Sequence, residues 1–389
     1  MQGALPFRLP VPRDGKADLL VIAGEHSGDE HAARMVGEFL AARPEARVAA
    51  LGGPLLAGAG AQLLFDMTAS SVVGFVEVIR NFPFFRALFA ETVRWIEEHR
   101  PSVVCLVDYP GFNLRLASEL RARGLSAKGG GSIRVCYYIS PQIWAWKRGR
   151  RFAMARDLDA LAVIFPFEVA CYADTDLPVE FVGHPFVRDD YAPPVVRDPA
   201  GPVLLLPGSR RQAVARIFPV LLEGYARFLR GGADSDSVVL YPSADIRATL
   251  EAASPPPRVR LLPTGAPVAA SAVLTSSGTM SMHCALAGIP GAIAYRANPL
   301  TYLLGRWLVR VPYLGIANLL LGEPMYPEFI QGSATAAALA EELRKCVGDP
   351  ARGERTLAQA ARLRLLLSRP AGGAAEWLAR QIAPAPGCK

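Results

Sequence analysis

Short runs of apolar residues recur along the whole sequence, and segments with helical periodicity separate them. The first half contains ADLLVIAG, SVVCLVD, IRVCYYIS, LDALAVIF and VEFVG, and the second half contains PVLLLPG, SVVLYPS, RVRLLP, SAVLTSSG and GAIAYR. Apolar runs without regular alternation indicate strands that are buried on both faces, as in parallel sheets covered by helices. The sequence therefore predicts the α/β class, with doubly wound parallel sheets.

A segment rich in proline and charge, DDYAPPVVRDPAGP, separates the two sets of runs at residues 189–202. This composition is typical of an interdomain linker, and 389 residues are more than one ordinary core holds. We therefore expect two Rossmann-like doubly wound domains that face each other across a cleft. The first spans residues 1–190, the second spans residues 191–355, and residues 356–389 form a helical tail.

The charge and the distribution of apolar residues limit the classes of partner. The net charge is +7, and the basic residues are not gathered into one long tract. This excess favours a phosphorylated sugar, a nucleotide or an anionic membrane surface as partner, and it disfavours nucleic acid. No apolar run reaches the ~18 residues of a membrane-spanning helix, and prolines stand where a signal peptide has its apolar run. We therefore expect a cytoplasmic protein.

The first apolar run ends in AGEHSGDEHAAR, where small residues precede a helix. Gly24, Ser27 and Gly28 allow the backbone to approach a ligand closely, and the amides of a helix start attract anions. Asp29 can cap that helix. An ordinary strand-to-helix turn explains the same residues equally well. The turn lacks the GxGxxG fingerprint, which disfavours a bound dinucleotide.

Asp108 stands in VDYPGFNLRLA, at the end of a buried run of the first half. Open α/β sheets bind their ligands at the carboxyl ends of their strands, so a carboxylate there can act as a general base. An aspartate that caps a helix or accepts a structural hydrogen bond explains the position equally well. Asn113 and Arg115 follow, as ligand contacts or as surface residues.

Two tryptophans and four cations stand close together in YYISPQIWAWKRGRRFAMAR. These residues are Trp144, Trp146, Lys147, Arg148, Arg150 and Arg151. Aromatic rings beside cations suit a phosphosugar or a membrane surface. The alternative is a charged helix start on which two tryptophans pack.

Two strand ends of the second half carry small residues and can bind phosphate. The residues are Gly208, Ser209 and Arg210 in LLLPGSRRQ, and Ser277, Gly278 and Thr279 in LTSSGTMSMHCALAGIP. Backbone amides together with an arginine can hold a diphosphate. One such turn alone can be an exposed loop, but two in one domain indicate a nucleoside diphosphate. His283 follows in the second motif, as a ligand contact or as a packed or solvated side chain.

Metal and redox motifs are not indicated. The six cysteines are scattered without a CxxC pair, and no Asp-x-Asp motif stands at the two phosphate-binding turns. Buried free thiols are therefore the expectation. We expect neither a metal nor a cofactor.

The segment at residues 72–96, VVGFVEVIRNFPFFRALFAETVRWI, combines phenylalanines with interleaved arginines. It is too short and too charged to span a bilayer, but it can lie in the membrane interface. The expected contact residues are Phe82, Phe84, Phe85 and Phe89. The alternatives are that these rings pack in the core of the first domain, or that one face is buried and the other exposed.

The motifs resemble, in order, those of the lipid-A-disaccharide synthase family. They are AGEHSGDE, GFVEVIR, DYPGFNLRLA, YYISPQIWAWKRGR, PFEVACY, FVGHP, LLPGSRRQ, SSGTMSMHCALAGIP, YRANPLTYLLGRWLVRVPYLGIANLLLG and PEFIQ, and they cover most of the chain between Ala23 and Gln331. The resemblance implies a glycosyltransferase of the GT-B type on the inner membrane. It implies inverting transfer of diacylglucosamine from its UDP derivative to diacylglucosamine 1-phosphate, with a β-1,6 bond formed, UDP released and no metal required.

The resemblance also implies roles for particular residues. Asp108 and Arg210 match the family's essential aspartate and its phosphate-binding arginine. The implied donor-binding residues are Gly208, Ser209, Arg210, Ser277, Gly278, Thr279, His283, Tyr295, Arg296, Asn318, Glu328 and Gln331. The implied acceptor-binding residues are Gly24, Glu25, Ser27, Gly28, Asp29, Asn113, Trp144 and Arg148.

The sequence departs from the family pattern mainly on the nucleotide side. His283 and Ala213 stand where the family usually has glutamate, and Ala32 stands where a glycine is common. Gly-Ile-Ala precedes Asn318 in place of Ser-Leu-Pro. These departures leave open another sugar nucleotide or acceptor, or a relative that binds lipid or nucleotide without turnover. The sequence also leaves open whether two copies form a homodimer.

Overall fold

The computed structural model describes residues 8–71, 82–188, 191–298, 302, 311–369 and 372–382. The chain divides into two compact units. Residues up to Pro185, together with those from Arg369 onward, form the N-terminal unit, and Phe186–Ser368 form the C-terminal unit.

The N-terminal unit is built on a seven-stranded parallel sheet. Its strands are β1 (Leu19–Ala23), β2 (Val48–Gly52), β3 (Gln62–Asp66), β4 (Val103–Val107), β5 (Arg134–Tyr138), β6 (Ala160–Val163) and β7 (Val179–Phe181). They lie in the order β3-β2-β1-β4-β5-β6-β7. Strand order therefore reverses between β1 and β4, which is the point where open α/β sheets bind ligands.

Helices cover both faces of this sheet. They are α1 (His26–Ala42), α2 (Pro54–Gly58), α3 (Thr68–Ser71), α4 (Phe82–His99), α5 (Pro110–Ala122) and α6 (Arg150–Asp157), with 3-10 turns at Arg13–Gly15, Ala127–Gly129 and Pro166–Tyr172. Successive residues of β1 enter different cores: Leu20 and Ile22 belong to one buried cluster, and Leu19 and Val21 to another. Burial on both faces explains why the apolar runs do not alternate.

The C-terminal unit has a six-stranded parallel sheet in the order β11-β10-β9-β13-β14-β15, and a two-stranded pair of β8 and β12. The strands are β8 (Val195–Arg197), β9 (Val203–Leu206), β10 (Ser237–Tyr241), β11 (Val259–Pro263), β12 (Val268–Ala270), β13 (Ala272–Thr275), β14 (Gly291–Tyr295) and β15 (Glu328–Ile330). The strand order reverses between β9 and β13, which is the equivalent position to that between β1 and β4.

The described helices of the C-terminal unit cover its sheet in the same way. They are α7 (Arg211–Arg230), α8 (Ala244–Glu251), α9 (Thr279–Leu286), α10 (Ile316–Leu321), α11 (Ala336–Gly348) and α12 (Pro350–Leu367), with a 3-10 turn at Gln331–Ser333. Another 3-10 turn, Pro185–Val187, lies at the boundary between the units. Helices α7 and α11 bury Phe218, Tyr225 and Leu339 against the sheet.

The predicted helical tail is not a separate element. Helix α12 begins before residue 356 and belongs to the C-terminal unit, whereas α13 (Ala374–Ile382) belongs to the N-terminal unit. Trp377 of α13 is 1% exposed and joins the core that contains Val36 and Phe39 of α1. Burial of such a large side chain accounts for the return of the chain.

The sequence analysis predicted the fold class correctly, because both units contain parallel sheets covered by helices. All ten apolar runs are strands, but β2, β3, β8, β12 and β15 were missed. The domain boundary lies at Pro185, before the predicted residue 190, and part of the predicted linker is β8, which pairs with β12. Residues 189–190 of that linker lie outside the described residues. Across the described part of the chain, no helix has the length and apolarity to cross a membrane.

Candidate active site

The chain turns sharply where β4 ends, at the reversal point of the N-terminal sheet. Asp108 and Tyr109 both have positive φ, 45° and 48°. Left-handed backbone is uncommon in residues other than glycine and costs free energy, so it persists only where neighbouring contacts hold it. Here Asp108 N–H donates to the carbonyl of Tyr138 at 3.0 Å, and its own carbonyl accepts from the Tyr137 hydroxyl and from Asn113 Nδ2.

The ring of Tyr109 lies directly on Gly24, the residue that follows β1. A Cβ atom added to Gly24 would stand 2.2 Å from Tyr109 Cδ1 and 2.3 Å from Cγ, well inside contact distance. Gly24 therefore provides room for a side chain of the neighbouring strand end. From the sequence, the missing side chain of Gly24 was expected to let a ligand approach the backbone. The role of Gly24 in acceptor binding stays a prediction.

The Asp108 carboxyl lies in a site that favours its protonated form. Burial raises its pKa to about 6, the negative charge of nearby Glu25 adds to this, and a hydrogen bond from the Tyr109 backbone opposes it. Glu25 itself is exposed. A carboxylate with a pKa near 6 can accept a proton at neutral pH more effectively than an ordinary aspartate. The geometry therefore suits general-base chemistry at the end of β4.

Asn113 connects the ends of β1 and β4. It is fully buried, and its Nδ2 donates to the carbonyls of Ile22 at 3.4 Å, Val107 at 3.2 Å and Asp108 at 2.8 Å. These bonds support the turn that carries Asp108. The sequence left Asn113 as a ligand contact or a surface residue. Its burial excludes the surface position, and acceptor binding stays a prediction.

Asp29 caps a helix, but not the helix in which it lies. It is 1% exposed, and its carboxylate accepts the backbone N–H groups of Gly53, Leu55 and Leu56 at the start of α2. The expected cap on α1 is therefore wrong, because Asp29 is in the first turn of α1 and Glu25 is its N-cap residue. Nearby, Gly28 is buried and Ser27 is exposed; no contact observed here tests their predicted binding roles or that of Asp29.

The loop after β5 carries the tryptophans and cations that the sequence analysis singled out. Trp144 is half-buried and packs edge-on against Phe167, with ring centroids 5.5 Å apart. Trp146 is 43% exposed, with Lys147 Nζ 4.5 Å and Arg150 Cζ 5.3 Å from its ring centroid. The other predicted acceptor contact of this loop, Arg148, is exposed.

A cavity of about 460 Å³ lies at the reversal point of the C-terminal sheet. The turns after β9 and β13 line it, and so does the end of β14. Eight of the predicted donor-binding residues are in its wall, namely Gly208, Ser209, Arg210, Ser277, Gly278, Thr279, Tyr295 and Arg296. The structure thus brings both predicted phosphate-binding turns to one cavity, whose volume is in the range of small-ligand sites.

Two details of this cavity bear on the family pattern. Gly208 has a φ of +107°, and a Cβ atom on it would stand 3.0 Å from the Ser276 hydroxyl, so the turn after β9 requires glycine. Ala213, where the resemblance implies a glutamate, also lines the cavity. This departure from the family pattern therefore lies in the wall of the cavity.

Three other predicted donor-binding residues support the backbone and are not among the lining residues of the cavity. Glu328 accepts the N–H groups of Leu314 and Gly315, each at 2.9 Å, and a hydrogen bond from the side chain of Asn318. Gln331 bonds both to the N–H and to the carbonyl of Ala297. These contacts fix the segments next to β14, and direct donor contacts by these three residues stay predictions.

His283 packs among aromatic rings. It is 6% exposed and lies on α9, with the Phe186 ring centroid 4.0 Å and the Tyr191 ring centroid 5.7 Å from its own. The Tyr191 hydroxyl is 3.1 Å from His283 Nδ1. His283 is thus a packed side chain, which is one of the alternatives that the sequence left open. It is not among the residues that line the cavity.

The phenylalanines of α4 divide between the surface and the core. Phe84 is 37% exposed, whereas Phe89 packs against the core with its ring 5.4 Å from that of Phe112. Phe85 is half-buried. Residues 72–81 and the side chain of Phe82 lie outside the described residues. The mixed arrangement is therefore observed in the described part of the segment, and a membrane contact by Phe89 conflicts with its packing.

Sequence reasoning missed two residues of these sites, Tyr109 and Tyr137, which shape the Asp108 turn. Arg150, which it named among the cations beside the tryptophans, lies against Trp146. Only the position of Tyr109, next to Asp108 at a strand end, was a usable signal. Within the residues that the structure describes, no three His, Cys, Asp or Glu side chains cluster as metal ligands.

Solved structures of low sequence identity share this fold. The glycotransferase of kitacinnamycin is 17% identical with a TM-score of 0.57, and the match covers 94% of this chain and 99% of that one. UDP-GlcNAc 2-epimerase from Neisseria meningitidis, solved bound to UDP-GlcNAc, is 10% identical with a TM-score of 0.59 and the same coverage. At these identities the matches show the fold alone, which a glycosyltransferase and a sugar-nucleotide epimerase share with this chain.

Relatives of higher sequence identity identify the family of this chain. The family of lipid-A-disaccharide synthetases matches residues 19–380. Lipid-A-disaccharide synthase of Geobacter metallireducens is 38% identical over 93% of this chain and 95% of its own length. Lipid-A-disaccharide synthase 1 of Legionella pneumophila subsp. pneumophila is 34% identical, over 90% and 93%. The chain belongs to the lipid-A-disaccharide synthetase family, and it is therefore a glycosyltransferase.

The pKa of Asp108 predicts the acidic limb of the pH profile. A general base works only when deprotonated, so kcat/KM should fall as pH drops through about 6. Because the charge of Glu25 raises the pKa of Asp108, Glu25→Gln should move this limb to lower pH. Glu30→Gln, at an exposed position of α1, is the matched control and should leave the limb in place. An acidic limb at the same pH in Glu25→Gln and in the wild type would contradict the assignment of Asp108 as the general base.

Proposed function

We propose that the chain transfers 2,3-diacylglucosamine from its UDP derivative to the 6-hydroxyl of 2,3-diacylglucosamine 1-phosphate. The products are the β-1,6-linked disaccharide 1-phosphate and UDP. The observation that carries the proposal is the half-buried carboxyl of Asp108, whose pKa is raised to about 6, at the reversal point of the N-terminal sheet, in a chain that matches this family over residues 19–380. The acceptor and its base are assigned to this unit, and the UDP-sugar to the cavity of the C-terminal unit.

In this proposal Asp108 accepts the proton of the attacking hydroxyl. The hydroxyl oxygen forms a bond to the anomeric carbon of the donor, while the bond from that carbon to the diphosphate oxygen breaks. The electron pair of the broken bond leaves with UDP, and inversion follows from attack on the opposite face. The contacts of Tyr137 and Asn113 with the Asp108 carbonyl hold the base before the substrates arrive.

The cavity after β9 and β13 supplies what a leaving diphosphate needs. Backbone amides of the two glycine-containing turns and the guanidinium of Arg210 surround the space. An arginine can donate two hydrogen bonds to phosphate, and amides at helix starts add partial positive charge. Neutralisation by these groups requires no metal, so we propose a metal-independent transfer.

Asp108→Asn is the direct test of the proposal. The amide keeps the shape of the side chain but cannot accept the proton, so turnover should fall by about 10²–10⁴-fold. Formation of the disaccharide 1-phosphate by purified protein, followed by mass spectrometry, gives the rate. Asp176→Asn is the control, because this carboxylate is 81% exposed and pairs with Lys128. Turnover of Asp108→Asn near that of the wild type would remove Asp108 from the mechanism.

Arg210→Ala should weaken UDP binding about 10- to 100-fold, since a charged hydrogen bond of roughly 1.5–3 kcal/mol is lost. Isothermal titration calorimetry with UDP measures the effect. Arg211→Ala is the matched control, because Arg211 is an exposed neighbour on α7 that does not line the cavity. Equal UDP affinity in the two variants would contradict the placement of the diphosphate.

A second candidate is transfer from a different UDP-sugar, and Ala213 is the observation that favours it. The cavity wall there lacks the carboxylate that the family usually has. Loss of one hydrogen-bonding group from a pocket relaxes discrimination between ligands that differ at that point. Product analysis with a mixture of UDP-sugars separates the two candidates, because each predicts a different disaccharide mass.

We further propose that the protein works at the cytoplasmic face of the inner membrane and contacts it through α4. Phe84 supports this, because a large apolar ring at 37% exposure beside the exposed Arg86 suits the interface of an anionic membrane. The acyl chains of both proposed substrates require such a contact, since they favour the bilayer over water.

Phe84→Ser should reduce binding to anionic vesicles in a sedimentation assay. It should lower the Tm less than Phe89→Ser, because Phe84 is the more exposed of the two, although its ring lies 5.8 Å from that of Phe65. Phe89→Ser is the matched comparison on the same helix. It should lower the Tm by at least about 2–4 °C, because Phe89 packs against the core. Vesicle binding of Phe84→Ser equal to that of the wild type would reject the contact.

A further inference from the structure

Backbone strain is concentrated beside Asp108. Among the described residues, eight that are not glycine have positive φ, and four of them follow β4 or β5. These four are Asp108, Tyr109, Ile139 and Lys147. Ile139 is the most unfavourable, because a β-branched residue with a φ of 68° is a clear outlier. Residues with strained backbone are concentrated at binding and catalytic sites. The strain therefore indicates that the loops after β4 and β5 together form a ligand-binding edge.

Two cations between β5 and the start of α6 have an aromatic ring as their observed neighbour instead of a carboxylate. Lys147 and Arg150 both lie over Trp146. Throughout the described ranges, no carboxylate lies within salt-bridge distance of either. Other cations of the same stretch are paired: Arg151 with Asp174, and Arg156 with Asp157. The two cations over Trp146 therefore hold charge that an anionic ligand can use.

Arg150 acts electrostatically on Tyr137, which supports the Asp108 turn. Burial and the charge of Asp108 raise the pKa of Tyr137, and the charge of Arg150 acts in the opposite direction. Tyr137 in turn donates its hydroxyl to the carbonyl of Asp108. Arg148 acts instead on the Cys171 thiol, whose pKa burial raises. Arg150 thus acts on the tyrosine that supports the Asp108 turn, and acceptor binding by Arg148 stays a prediction.

We propose that Lys147 and Arg150, held against Trp146, form a subsite for a phosphate monoester carried by the acceptor sugar. The subsite rests on the proposed function, because it positions the same acceptor whose hydroxyl Asp108 deprotonates. Two cations match the charge of about −1.5 to −2 on a phosphate monoester near neutral pH. Arg150 supplies paired donors and Lys147 a compact charge, a combination that suits phosphate.

A phosphate of a membrane lipid headgroup is the other source of the same chemistry. Exposed tryptophan beside cations also suits a membrane interface. The two cations follow β5, at the same sheet edge as the Asp108 turn after the paired strand β4. This shared edge favours the sugar phosphate, because the acceptor must lie there for Asp108 to take its proton. The two sources differ in what they predict for acceptors with and without the phosphate.

The test compares two acceptors, 2,3-diacylglucosamine 1-phosphate and the same sugar without phosphate. In Arg150→Gln and Lys147→Gln, KM for the phosphorylated acceptor should rise about 10- to 100-fold, while KM for the other acceptor stays unchanged. Arg156→Gln, which alters a paired cation at the other end of α6, should change neither value. Unchanged UDP affinity by calorimetry shows that each variant is folded.

A KM that rises equally for both acceptors, or for neither, would overturn the subsite. Loss of anionic vesicle binding with an unchanged ratio of the two KM values would assign the cations to lipid headgroups and also overturn it. Wild-type protein that forms no disaccharide would reject the proposed function instead. In that case calorimetry with glucosamine 1-phosphate and glucosamine still decides the subsite, because binding that does not depend on the phosphate or on Arg150 contradicts it.

Discussion

The packing of the Tyr109 ring on Gly24 is the contact on which the geometry of Asp108 depends. It holds the two consecutive left-handed residues at the end of β4, and hydrogen bonds to the Asp108 backbone from Tyr137 and Asn113 complete the support. The result is a carboxyl that burial and a neighbouring negative charge keep near a pKa of 6. The turn places the carboxyl where burial and the charge of Glu25 raise its pKa, which suits base catalysis at neutral pH.

The C-terminal unit also has a parallel sheet with a reversal point, but different groups lie there. Its reversal point lies between β9 and β13, and there the turns leave a cavity with no buried carboxylate among its lining residues. Glycines bring backbone amides to the space, and Arg210 adds a full positive charge. Glu328 and Gln331 fix the adjoining segments through backbone bonds. One unit is thus suited to take up a proton and the other to stabilise a leaving diphosphate.

The sequence predicted what depends on local pattern. Buried strands were found because both of their faces are apolar, whereas β2 was missed because its residues, VAALG, are mostly small and include one β-branched side chain, Val48. The two turns that line the cavity of the C-terminal unit were found from glycine and serine at strand ends. The roles of Asp29 and Asn113 were not, because their partners are backbone groups of distant segments, which no local pattern reveals. The return of α13 to the N-terminal unit likewise depends on the burial of Trp377 against a helix far away in sequence.

The central claim is that the turn at the end of β4 places the Asp108 carboxyl for catalysis, and Gly24→Ala tests it most directly. A methyl group there would overlap the Tyr109 ring at 2.2 Å and displace the turn without touching the cavity of the C-terminal unit. The measurement is kcat for disaccharide formation, with UDP affinity determined on the same sample. The account predicts a fall in kcat on the order of 10²-fold, as for a base misplaced by about 1 Å, and an unchanged affinity for UDP. Wild-type kcat in a folded Gly24→Ala variant would contradict it.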